Sequence, residues 1–105
     1  MTEKEKIIQQ IKSAVQKIEP GATVILFGSY ARHQEHSASD IDVLILLEKE
    51  KISWEDEKKI LFPLYDIEFE TGTIISPLVI SRKEWEEKHR ITPFFENVNS
   101  EGVVL

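Results

Sequence analysis

The first apolar positions along the chain are Ile7, Ile8, Ile11, Ala14, Val15 and Ile18, a spacing that gathers them on one side of a helix over residues 3–18. Thr2 or Glu3 can open this helix, and Pro20-Gly21 stops it. The period then changes. Residues 22–27 read ATVILF and residues 41–48 read IDVLILLE, both apolar at odd and even positions and rich in β-branched side chains. A strand that is apolar on both faces belongs in the middle of a sheet with cover on each side. Residues 29–39, between the two, are polar, and a short helix can begin just after Ser29.

A charge-rich turn, EKEKISWEDEKK, leads into residues 54–71, where Ile60, Leu61, Leu64, Tyr65, Glu68 and Phe69 keep a helical period. Pro63 and the alternation in DIEFET pull towards a strand instead. Helix is the favoured reading, with a kink at Pro63 and Gly72 as its C-cap. TIISPLVI is then a third strand, in which Pro77 points to an edge or a bulge. A short helix over residues 82–89 follows. Pro93 opens a last helix through Asn99, which stops at Gly102 before an extended VVL tail. This alternation predicts an α/β fold in the broad sense (α+β), a small mixed β-sheet flanked by helices. At 105 residues the length suits a single domain over 1–105 with one core.

Composition narrows the chemistry. A net charge of −6 argues against an extended nucleic-acid surface, which needs clustered Lys and Arg. There is no cysteine, so disulfides, thiolate metal sites and cysteine nucleophiles are excluded. The opening MTEKEKIIQQ is too charged for a signal peptide, and no apolar run has the length of a membrane span, so the expected location is the cytoplasm.

The unusual feature is where the acids fall. Asp40 and Asp42 stand at the head of the second buried strand, two positions apart and therefore on one side of it, together with Leu44 and Leu46. Two carboxylates there repel each other and are costly to desolvate unless a cation intervenes. Hard oxygen ligands of this kind suit Mg²⁺, which completes its shell with waters and phosphate oxygens. Gly28-Ser29 ends the first strand. Its glycine lets a ligand approach the backbone, and amides at a helix start with the Ser29 hydroxyl suit an anion. Arg32 can add a charge-assisted contact to the same phosphates. A phosphate cradle facing a metal-binding acid pair suits phosphoryl or nucleotidyl transfer. His33, Glu35 and His36 read better as a polar loop than as a metal site, and Trp85, Phe94 and Phe95 as cover for the sheet or an interface.

The pattern Gly28-Ser29-x-Ala31-Arg32 followed by Ser39-Asp40-Ile41-Asp42 resembles the nucleotidyltransferase superfamily built on the DNA-polymerase-β-like palm, in the size range of its minimal members. The resemblance covers the order of elements over roughly residues 5–80, with its specific signal in residues 27–48. It implies Asp40 and Asp42 as catalytic Mg²⁺ ligands and Gly28 and Ser29 as holders of the nucleotide phosphates. It also implies transfer of a nucleoside monophosphate, AMP from ATP, to a hydroxyl acceptor. Minimal members often pair with a small helical protein, some as the antitoxin that modifies a HEPN-type ribonuclease. Such a partner, or a homo-oligomer, is the implied assembly. Two departures stand out: His33 follows the Ala-Arg pair where many relatives have Gly, and the family's third carboxylate has no counterpart in TIISPLVI, whose polar position is Ser76. Were DIEFET the strand, Asp66, Glu68 and Glu70 would share a face and one could serve. The other function consistent with these residues is a nucleotide-binding or interaction module that lacks the third acid.

Overall fold

The computed structural model of the chain describes residues 2–28, 40–87 and 90–105. The elements run α1 (Glu3–Ile18), β1 (Thr23–Phe27), β2 (Ile41–Leu47), α2 (Trp54–Thr71), β3 (Ile75–Ser81), α3 (Arg82–Glu87), α4 (Pro93–Glu101) and β4 (Val103–Val104). The strands form one sheet in the order β3-β2-β1-β4. β2 pairs antiparallel with β1 and parallel with β3, so the sheet is mixed and the two doubly apolar strands are its inner pair. Pro77 sits in β3, at the edge, where a missing N–H need not break the ladder. The VVL tail does more than extend. Val103 and Val104 pair with Leu26 and Ile25, and the Leu105 amide donates to the Val24 carbonyl at 2.8 Å.

Each face of the sheet has its own helical cover, which explains the two apolar parities of β2. Ile41, Val43, Ile45 and Leu47 pack with Ile7, Ile11 and Val15 of α1 and Ile60 and Leu64 of α2. Leu44 and Leu46 turn the other way, against Ile25, Ile80, Trp85 and Val98. Full burial of an aliphatic side chain of this size contributes about 1.5–3 kcal/mol. The two layers therefore hold β2, and with it the acids at its head, in one register.

The helix ends follow local chemistry. Thr2 accepts the Glu5 amide at 3.1 Å, and Thr92 the Phe95 amide at 3.1 Å. α2 starts with a capping box between Ser53 and Asp56, runs through Pro63, and ends at Gly72, whose φ of +73° is left-handed. DIEFET is thus the last turns of a helix. Its closing turn also serves the sheet, since Glu68 Oε1 accepts the Ile75 amide at the head of β3 at 2.8 Å.

Lys49 Nζ lies 2.7 Å from Asp56 Oδ1 and 3.3 Å from Glu19 Oε1, tying the end of α1 to the start of α2. Donation from Lys49, then from the Ser53 backbone and hydroxyl, lowers the Asp56 pKa from 3.8 to about 2. Lys49 is raised above its ordinary value, first by Asp56 and then by Glu19. A depressed carboxylate stabilises the folded state above its unfolded pKa of 3.8, and this contribution is lost as pH falls through about 2. The native chain should therefore melt above Asp56→Asn by a constant margin at neutral and mildly acid pH. That margin should shrink below pH 3.8 and be gone by about 2. Thermal unfolding of both proteins across this range checks it, and a margin independent of pH would discount the ion pair.

Candidate active site

The site is assembled where three strands meet at one end of the sheet. Phe27 of β1 pairs with Asp42 of β2, and Asp42 pairs with Ser76 of β3. Lateral partners share a face, so these three form a row on the side that carries Leu44 and Leu46. Aromatic rings cover this side: Phe94 meets Phe27 edge-on at 5.2 Å and Trp85 at 5.5 Å, and Phe95 lies 4.9 Å from Trp85. The aromatics therefore cover the sheet, and Trp85 is buried. Asp42 is half-buried at the head of β2, while Asp40, just ahead of the strand, is exposed.

Gly28 follows β1 with φ +74°. A Cβ at this position would lie 2.4 Å from Asp42 Oδ2 and 3.3 Å from its Cγ. The left-handed backbone favours glycine, and any Cβ there would push the Asp42 carboxylate aside. The fold thus brings together the first residue of the expected phosphate cradle and the second expected metal ligand, which lie far apart in sequence. Ser29 and Arg32, together with His33, Glu35, His36 and any helix after Ser29, lie outside the described residues.

None of the acids weighed as a third carboxylate lies on β3. Asp66, Glu68 and Glu70 belong to α2, which closes the strand alternative for DIEFET, and Glu68 caps the head of β3. The β3 position beside Asp42 is Ser76. Among the described residues no three His, Cys, Asp or Glu side chains gather as a metal-binding group. Among the described residues, the expected ligands at this corner are Asp40, just ahead of β2, and Asp42, at its head. That pair fits an ion that takes one or two carboxylates and fills its other positions with water and phosphate oxygens, as Mg²⁺ does.

One flank of the corner escaped the sequence reading. A cleft of about 230 Å³ adjoins Gly28, lined by Phe27, Phe94, Asn97, Val98 and Glu101. Asn97 and Glu101 carry no motif and read as the polar face of a short terminal helix, so only the packing of α4 against β1 could reveal them. Among the described residues no helix is long and apolar enough to cross a membrane.

Comparison with known proteins agrees with this architecture. Residues 8–98 match the model of the nucleotidyltransferase domain. The chain is 36% identical over 80 residues to a Methanocaldococcus jannaschii protein provisionally named a protein adenylyltransferase, an alignment spanning 76% of this chain and 74% of that one. Its fold is similar to that of a toxin–antitoxin crystallised with AMP-PNP (TM-score 0.60, 17% identity, covering 98% of this chain and 72% of the other). It is also similar to a provisionally assigned nucleotidyltransferase from Sulfolobus solfataricus (TM-score 0.53, 20% identity, covering 95% and 82%). With its mixed sheet, its helices on both faces and a left-handed glycine set against an acid at the strand head, the chain belongs to the nucleotidyltransferase domain family.

Proposed function

We propose that the chain transfers the AMP portion of Mg²⁺-bound ATP to a hydroxyl group, releasing pyrophosphate, and that the acceptor hydroxyl belongs to a protein. The observation that carries this reading is the contact between Gly28 and the Asp42 carboxylate. Phosphates held at the Gly28 backbone would lie next to a ligand of their own counter-ion. In this mechanism Asp40 and Asp42 hold the metal. When bound, Mg²⁺ neutralises charge on the triphosphate and aligns it for in-line displacement. Gly28 and Ser29 fix the phosphates through backbone amides and the Ser29 hydroxyl, and Arg32 adds a charge-assisted bond. The new bond joins the acceptor oxygen to the α-phosphorus, and the bond to the bridging oxygen of pyrophosphate breaks. Ser76, beside Asp42, offers no carboxylate for the acceptor's proton. That proton passes to water or to a base carried by the acceptor.

A relative named for protein adenylylation and a similarly folded toxin–antitoxin crystallised with AMP-PNP support a protein acceptor. A small helical partner, as in antitoxin pairs, is the favoured assembly over a homo-oligomer, and the cytoplasm the favoured location. The serine in the row favours a second reading, a module that binds Mg²⁺–ATP without turning it over.

ATP labelled at the α-phosphate, incubated with the chain, Mg²⁺ and candidate protein acceptors, separates the readings. Transfer of α-label, absent with γ-label and abolished by EDTA, is the expected result. Magnesium-dependent ATP binding without label on any acceptor supports the module. The absence of any thermal shift with Mg²⁺–ATP refutes both.

A further inference from the structure

Apart from Gly28, no residue lining the cleft beside it takes part in the proposed metal and phosphate chemistry, yet the cleft opens off the same corner. Its inner wall is apolar. Phe27 lies in the same row as Asp42, Phe94 packs edge-on against it at 5.2 Å, and Val98 is buried behind them. The rim is polar. Asn97 and Glu101 are exposed and one helical turn apart on α4, so they lie on the same side of that helix. Gly28 joins this cleft to Asp42, because it lines the one and touches the other.

An aromatic wall with an amide and a carboxylate above it is a binding site for a planar heterocycle that has an amino group on its edge. Aromatic side chains accept any base by stacking and do not discriminate among them. Discrimination comes from the rim. An asparagine amide can donate to a ring nitrogen and accept from an exocyclic amine at once, the pairing it makes with the N7/N6 edge of adenine. A carboxylate also accepts from an exocyclic amine, but from guanine and cytosine as well as adenine, so it adds affinity while the asparagine carries the choice of base. We propose that this cleft binds the nucleoside part of the nucleotide and selects adenine, with Asn97 as the principal specificity-determining residue and Glu101 as its second acceptor. The inference rests on the phosphate and metal assignments made above. It adds the residues that choose the base.

The test uses the full chain with Mg²⁺ and calorimetric titration of the non-hydrolysable analogues of ATP, GTP and UTP, together with inorganic tripolyphosphate. The native chain should bind the ATP analogue at least about tenfold tighter than those of GTP and UTP. Asn97→Ala, at an exposed position, should remove most of that preference while leaving tripolyphosphate affinity and the melting temperature unchanged. Phe94→Leu should weaken all the nucleotides alike and spare tripolyphosphate. Equal binding of all the nucleotides by the native chain overturns the proposal but leaves the phosphate site standing. So does an Asn97→Ala variant that keeps the native preference. If neither nucleotides nor tripolyphosphate bind, the phosphate site itself is wrong and this inference falls with it.

Discussion

Asp42→Asn is expected to reduce AMP transfer by at least about a hundredfold, the scale on which loss of one group stabilising developing charge is felt, while the chain folds as before. The substitution conserves shape at a half-buried strand position. It should leave stability within about 1 kcal/mol of the native chain. Asn retains an oxygen but loses the charge, so it should weaken the proposed metal site without opening the row formed with Phe27 and Ser76. The decisive measurement is α-label transfer at saturating ATP, with thermal unfolding in parallel. A variant that unfolds normally and transfers at the native rate would remove Asp42 from the mechanism.

Gly28→Ala tests the same corner from the other strand. The left-handed backbone alone should cost a non-glycine residue about 1–2 kcal/mol. The added methyl would also stand 2.4 Å from Asp42 Oδ2, so the carboxylate must swing away from where β2 holds it. Transfer should therefore fall about as far as in Asp42→Asn, on the order of a hundredfold. Gly28→Asn separates the two causes. Asparagine tolerates left-handed backbone, so part of the stability should return, but its Cβ meets the same oxygen and transfer should stay low. If Gly28→Asn recovered transfer together with stability, backbone conformation and not the carboxylate contact would be the role of the glycine.

Local pattern made most of the scaffold legible before the structure. Ile7, Ile11 and Val15 marked the buried stripe of α1, and the double apolarity of β1 and β2 marked them as inner strands. Gly72 marked a helix end because glycine accepts left-handed backbone, and Pro77 marked a sheet edge because it has no N–H to give a neighbouring strand. The VVL tail was read only as extended. A two-residue strand has no period of its own, and its identity comes from pairing with Leu26 and Ile25. DIEFET was ambiguous because its alternation competes with a helical stripe that continues through Pro63, and the capping box and Gly72 decide for the helix.

The site was legible to a different degree on each side. Its candidate acids and glycine could be singled out because like charges at the head of a buried strand demand an explanation within the sequence itself. That Gly28 abuts Asp42, and that Ser76 lies next in the row, are facts of register, which no single segment encodes. Asn97 and Glu101 gain significance only from what α4 packs beside.

The hydrogen bond from the Ile75 amide to Glu68 has a consequence for how these molecules meet one another. Ile41 donates to the Ile74 carbonyl, so in the parallel ladder the odd-numbered amides of β3 point away from the sheet. The first of these, Ile75, is occupied by Glu68, and the next, Pro77, has no hydrogen to give. An incoming strand from a second molecule would find no donor on the half of this edge nearest the site. The open side of a sheet with two strongly apolar inner strands is thereby protected from edge-to-edge aggregation where the acids would otherwise be covered.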